Sequence, residues 1–181
     1  MDPGLVAKAQ RGDRDALEAL VTVLEPNVYG YLLRKLDDEH LAQDLTQEVL
    51  LRVVRGLSGY RPEKPVESWV ITIAANLCRD YYRNPKKGQS LDVIEDGLKE
   101  TWVGETPDVL AEAAEWKERL PKAVDRLPPE QKEVVLLRVY GSMTFQQIAD
   151  AVGCPLNTAL GRMRYAILNL RKYLGVAPGN E

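Results

Sequence analysis

An all-α fold is what this chain's pattern predicts, on three observations. Apolar residues recur at steps of three and four along nearly every segment, the spacing that gathers them on one face of a helix. No stretch of strand length alternates apolar with polar residues. The breaks between periodic runs fall at glycines and prolines, which end and begin helices. A chain of 181 residues, 45% apolar and 28% charged, has the material for one domain or two small ones.

Taken in order, helices are expected over Leu5 to Gln10, Asp13 to Leu24, Pro26 to Leu36 and Glu39 to Leu57, with Gly12 and Pro26 separating the first three. In the fourth, Leu41, Leu45, Val49 and Val53 form an inward stripe, while Asp44, Gln47, Glu48 and Leu51 share another side. That side is either a docking face, acidic with an apolar edge, or a solvated flank. Gly56, Gly59, Pro62 and Pro65 then mark a loop. The helix Glu67 to Arg83 turns Val70, Ile73, Leu77 and Tyr81 inward, so Thr72, Asn76, Arg79 and Arg83 line its outer side. Amides, guanidinium groups and nearby aromatics are the groups that hold single-stranded nucleic acid. Trp69 is assigned to the core, because a large ring contributes most when buried.

From Pro85 to Pro107 the periodicity fades, leaving a loop of about twenty residues. Between Leu91 and Trp116 eight acidic residues face the single Lys99, so with −3 overall the flanking parts are net positive. The chain therefore divides into two helical domains, 1–88 and 115–181, modestly basic when taken together, joined by an acidic linker over 89–114. The second domain starts with helices over Pro107 to Arg126 and Pro129 to Tyr140.

It ends in a helix-turn-helix. Thr144 can cap a helix start with Gln147 reaching back to it, and Met143 and Ile148 flank the cap as a hydrophobic staple. Gly153 supplies the positive φ of a sharp turn, and Pro155 suits the first turn of the next helix. In that helix Leu156, Leu160, Met163, Ile167, Leu170 and Leu174 form the expected buried stripe, leaving Asn157, Thr158, Gly161, Arg162, Arg164, Tyr165 and Asn169 outside it. From Asn157 to Tyr173 there are four basic residues and no acidic one, which suits phosphate.

No run reaches the roughly 20 apolar residues of a membrane span, so no membrane insertion and a cytoplasmic location are expected. Cys78 and Cys154 lie far apart without metal-ligand spacing and read as reduced thiols, and His40 as an exposed first-turn residue. No nucleophile-base pair, metal-ligand spacing or phosphate loop stands out, so neither a cofactor nor catalysis is expected.

With both domains laid out, the chain resembles the extracytoplasmic-function sigma factors, two-domain initiation factors of bacterial transcription. Four segments carry the resemblance in the family's order: Leu5 to Leu17, Ala42 to Val49, Ser68 to Asp80 and Leu127 to Gln131, with the helix-turn-helix after them. The resemblance implies that Asp44, Gln47, Glu48, Val49 and Leu51 dock on core RNA polymerase. It implies that the loop from Tyr60 and Arg61, with Thr72, Asn76, Arg79 and Arg83, grips the unpaired −10 strand. It also implies that the −35 element of promoter DNA is read by the helix-turn-helix through Thr144, Asn157, Thr158, Leu160, Gly161, Arg162, Arg164 and Tyr165, and that an anti-sigma factor is a candidate partner. The chain departs from the family where Val66-Glu67 replaces Phe-Arg, Ala75 replaces Arg, and Leu160-Gly161 replaces Lys-Ser. Leu160 belongs either to the core stripe or to a thymine-methyl contact. The function implied is promoter recognition and melting for the polymerase. A dimeric helix-turn-helix regulator, which would bind paired half-sites, is the second reading, and a helical adaptor without DNA binding the third.

Overall fold

The computed structural model describes residues 2–83, 116 and 118–176. Helix α1 (Pro3–Gln10) is capped by Asp2 and ends before Gly12. Next comes α2, which runs unbroken over Arg14–Leu36 with Pro26 inside it, where the sequence predicts two helices. Pro26 removes one backbone donor, but Leu20, Leu24, Val28, Tyr31 and Leu32 continue one buried stripe through it, and that packing holds the helix together. Asp38 caps α3 (Glu39–Gly56), a 3-10 turn follows at Leu57–Gly59, and α4 spans Val66–Arg83. These four helices pack consecutively, α1 on α2, α2 on α3 and α3 on α4.

Helix α5 covers 118–125 and, with Trp116, is the described part of the segment expected from Pro107; residues 107–115 and the linker lie outside the described residues. Then follow α6 (Pro129–Gly141), α7 (Phe145–Val152) and α8 (Leu156–Leu174). In α6, four successive residues, Val134, Val135, Leu136 and Leu137, are buried. A helix buried all round is sandwiched, and α6 is: α8 and α7 cover one side, α2 and α4 the other. The two expected domains thus share one continuous core. Gly141 is the last residue of α6, where a side chain would press on Met143 and Ile71, and Ser142 after it takes the left-handed turn, at φ 48°.

The α8 stripe is rotated from the expected one. Ala159 and Ala166 are the buried residues, Met163, Leu170, Tyr173 and Leu174 are half-buried, and Leu156, Leu160 and Ile167 are exposed. Small residues face α6 and α7 because they let the helices approach closely, and this turns the leucine edge outward. In α3 the same shift makes Ala42, Thr46, Val49, Leu50 and Val53 the inner face, with Leu41 and Leu45 at its margin.

Candidate nucleic-acid interface

The helix-turn-helix is built by local bonds. Thr144 Oγ1 accepts from the Gln147 backbone N–H at 3.2 Å, and Gln147 Oε1 accepts from the Thr144 N–H at 2.8 Å, a complete capping box. Met143 and Ile148, the expected staple pair, are both buried. Gly153 stops α7 at φ 69°, and Pro155 sits at the N-cap of α8, its carbonyl accepting from Thr158 and Ala159. Arg138 fixes the approach from α6, donating to the Met143 carbonyl at 2.6 Å with its guanidinium over the Phe145 ring. Sequence reasoning missed Arg138; its only signal was a lone cation late in an apolar helix.

On the first half of α8 the exposed residues are Leu156, Asn157, Thr158, Leu160, Arg164 and Tyr165, with Ile167, Leu168, Arg171 and Lys172 exposed beyond them, and beside Gly161 lies open space. Leu160 is therefore not core, and the surface it joins is acid-free. Arg162 stands apart from this group: half-buried, it turns toward α6 and pairs with Glu130 at 3.4 Å. Asn169 likewise donates inward, to Gln131. A paired, half-buried guanidinium positions the helix rather than offering its charge to solvent.

The loop after α3 is tied down by Gln10, whose side-chain amide donates to the carbonyls of Leu57 at 3.0 Å and Tyr60 at 2.8 Å. The Tyr60 hydroxyl donates to the Lys64 carbonyl, and its ring lies against Trp69 at 5.2 Å. Burial, with Glu67 adding to it, raises the Tyr60 hydroxyl's pKa, so it stays protonated. Trp69, assigned to the core from sequence, is only half-buried and helps line a depression of about 200 Å3 with Gly59, Tyr60, Arg61, Glu63 and Lys64. An aromatic floor with two cations at the rim suits an unpaired nucleobase. Gln10 gave no signal in the sequence, where it merely ends a short helix.

Along α4, Asn76, Arg79 and Arg83 are exposed and Thr72 half-buried, its hydroxyl bonded to the Ser68 carbonyl. Arg83 pairs with Asp80 at 3.0 Å. On α3, Gln47 and Leu51 are exposed, Asp44 and Glu48 half-buried, and Arg52 holds Glu48 at 2.7 Å. Val49, expected on this face, is fully buried: its place on the 3.6-residue turn falls on the inner side with Val53, so it supports the face from beneath. His40 is exposed in the first turn of α3, as its position suggested. Among the described residues no helix is long and apolar enough to cross a membrane.

Residues 20–88 match the family Sigma-70 region 2, and residues 117–163 match Sigma-70, region 4. The ECF RNA polymerase sigma factor SigK of Mycolicibacterium vanbaalenii is 32% identical over 98% of this chain and 90% of its own length. The RNA polymerase sigma-H factor of Pseudomonas aeruginosa is 26% identical, over 90% of this chain and 88% of its own. Two solved folds are similar. CnrH in complex with the cytosolic domain of CnrY has a TM-score of 0.60 and 20% identity, over 96% of this chain and 97% of that one. RpoE of Bartonella quintana in complex with the anti-sigma factor NepR has a TM-score of 0.61 and 17% identity, over 89% of this chain and 98% of that one. With region 2 and region 4 in order and a relative aligned almost end to end, the chain belongs to the extracytoplasmic-function sigma factors of RNA polymerase.

Proposed function

We propose a division of labour within this sigma factor, with region 2 over 1–88, the linker over 89–114 and region 4 over 115–181. The outer side of α3, through Asp44, Gln47, Glu48 and Leu51, docks on core RNA polymerase. The depression at Tyr60, Arg61 and Trp69 takes an unpaired base of the −10 strand, and Thr72, Asn76, Arg79 and Arg83 follow its backbone. The first turns of α8 read the −35 duplex through Asn157, Thr158, Leu160, Gly161, Arg164 and Tyr165, with Thr144 at the helix start nearby and Arg162 holding the helix in place. The chain supplies recognition in the cytoplasm and the polymerase supplies the chemistry, while an anti-sigma protein is the proposed controlling partner.

The observation that carries this reading is the exposed, acid-free first half of α8, set by a complete capping box and a glycine turn in a chain whose two family regions stand in order. The test is in-vitro transcription from fragmented genomic DNA with purified core polymerase. Start sites that appear only when this chain is added support the reading, and their absence overturns it. For the docking face, Asp44→Arg is expected to weaken association with core polymerase by about tenfold or more, since charge reversal at a contact costs over about 1.4 kcal/mol. Unchanged affinity in a pull-down titration rules out that face.

A further inference from the structure

Gly161 stands inside α8, where glycine is a poor helix former, and the protein's own packing does not ask for it. Its φ is not positive, and a Cβ there would meet no atom within 4 Å. By contrast, Gly30 and Gly141 are close against Tyr140 and Met143, and Gly153 needs its left-handed φ. The bare spot at Gly161 therefore opens outward. Asn157, four residues before it, and Arg164, three after, share its strip of the helix surface, and both are exposed. Leu160 and Tyr165, 41% and 62% exposed, form the two margins of that strip. Leu156, one turn before Leu160, continues the apolar margin.

We propose that Leu160 selects an A·T pair in the −35 element: Gly161 lets α8 seat close to the base edges, Leu160 packs on a thymine C5-methyl, and Asn157 takes the adenine. The inference rests on the assignment of the first turns of α8 to the −35 duplex made above, and it names the base pair those turns select. The chemistry of the two kinds of pair decides. In the major groove an A·T pair shows the thymine methyl, which leucine matches, and adenine N6 and N7, which an asparagine amide bonds in bidentate fashion. A G·C pair shows only polar groups there, and leucine would cover them without offering a partner. The lysine that Leu160 replaces makes the opposite choice, because it donates to guanine O6 and N7. Asn157 and Leu160 are three residues apart on the helix, with Cβ atoms about 5–6 Å from each other, so one pair or two adjacent pairs meet both side chains.

The test removes one methyl group at a time. Holoenzyme assembled from core polymerase and the full chain is titrated onto a promoter recovered from the genomic screen, with each −35 thymine replaced singly by deoxyuridine, which lacks only the C5-methyl. At one position deoxyuridine is expected to weaken promoter engagement about fourfold, the effect of one buried methyl group. A G·C pair at that position should weaken it about tenfold or more. Leu160→Ala, a change at an exposed site that keeps a good helix former, should erase the deoxyuridine effect there and nowhere else. Insensitivity at every thymine overturns the proposal, and so does a deoxyuridine effect that persists in Leu160→Ala, which would leave the leucine margin to a protein partner. Gly161→Leu probes the close approach: its melting temperature should rise, because leucine forms helix better than glycine, while engagement falls about tenfold as Asn157 loses its base. Unchanged engagement by that variant removes the close approach and the proposal with it. A scrambled −35 element separates the two levels of failure. If native holoenzyme ignores the scrambling, the assignment of α8 to that element fails and takes this inference with it; if scrambling weakens engagement and deoxyuridine does not, this inference alone fails.

Discussion

Single side chains decide several outcomes here against the simplest reading of the sequence. Arg162 and Arg164 are indistinguishable as cations on a basic helix, yet one pairs with Glu130 and the other faces solvent. Arg164→Ala is therefore expected to reduce the salt dependence of −35 duplex binding by about one unit of log–log slope, and Arg162→Ala to change it much less. Affinity titrations across salt concentrations separate the two. Tyr31 is a second case: its buried hydroxyl lacks a partner, so Tyr31→Phe is expected to raise unfolding stability by about 1 kcal/mol, read in a urea melt. Cys78 is a third. Burial pushes its thiol up to about 12 from an ordinary 9.0. The folded state thus holds the proton more tightly, and this contribution is complete below pH 9 and lost as pH rises toward 12, an effect of about 4 kcal/mol. Replacing Cys78 with Ala should flatten the fall in stability over that alkaline window, and an unchanged pH profile would show that the thiol does not govern it.

At the scale of elements, the helices were legible in the sequence because their caps are local chemistry. Thr144, Gln147 and Gly153 interact within a few residues, so the helix-turn-helix could be placed from spacing alone, and Gly153→Ala is expected to cost about 1 kcal/mol by forcing a side chain into the left-handed region. Thermal melts with calorimetry would detect that loss. The errors fall where distant packing overrides local pattern. Pro26 has the local signature of a break, but Leu24, Val28 and Tyr31 are buried along one stripe that carries the helix through it. In α8 the large apolar residues suggested the inner face, but alanines occupy it, because what α8 packs against cannot be read from its own period. Gln10 and Arg138, which set the loop after α3 and the entry to α7, act through bonds to backbone carbonyls, and such bonds leave no trace in composition.

Across the whole molecule, the sequence divides into two domains at the acidic segment, and the family matches fall on either side of it. What composition could not disclose is that the two halves share a core through α6. Arg34, Lys35, Asp125 and Glu133 are fasteners across that junction. One practical outcome concerns fragments. Cutting the gene so that only the last sixty or so codons are expressed leaves the outward half of α6 stripped of its partners. Such a piece will be sticky and prone to self-association, and its DNA-binding behaviour in isolation will describe the fragment rather than the intact factor.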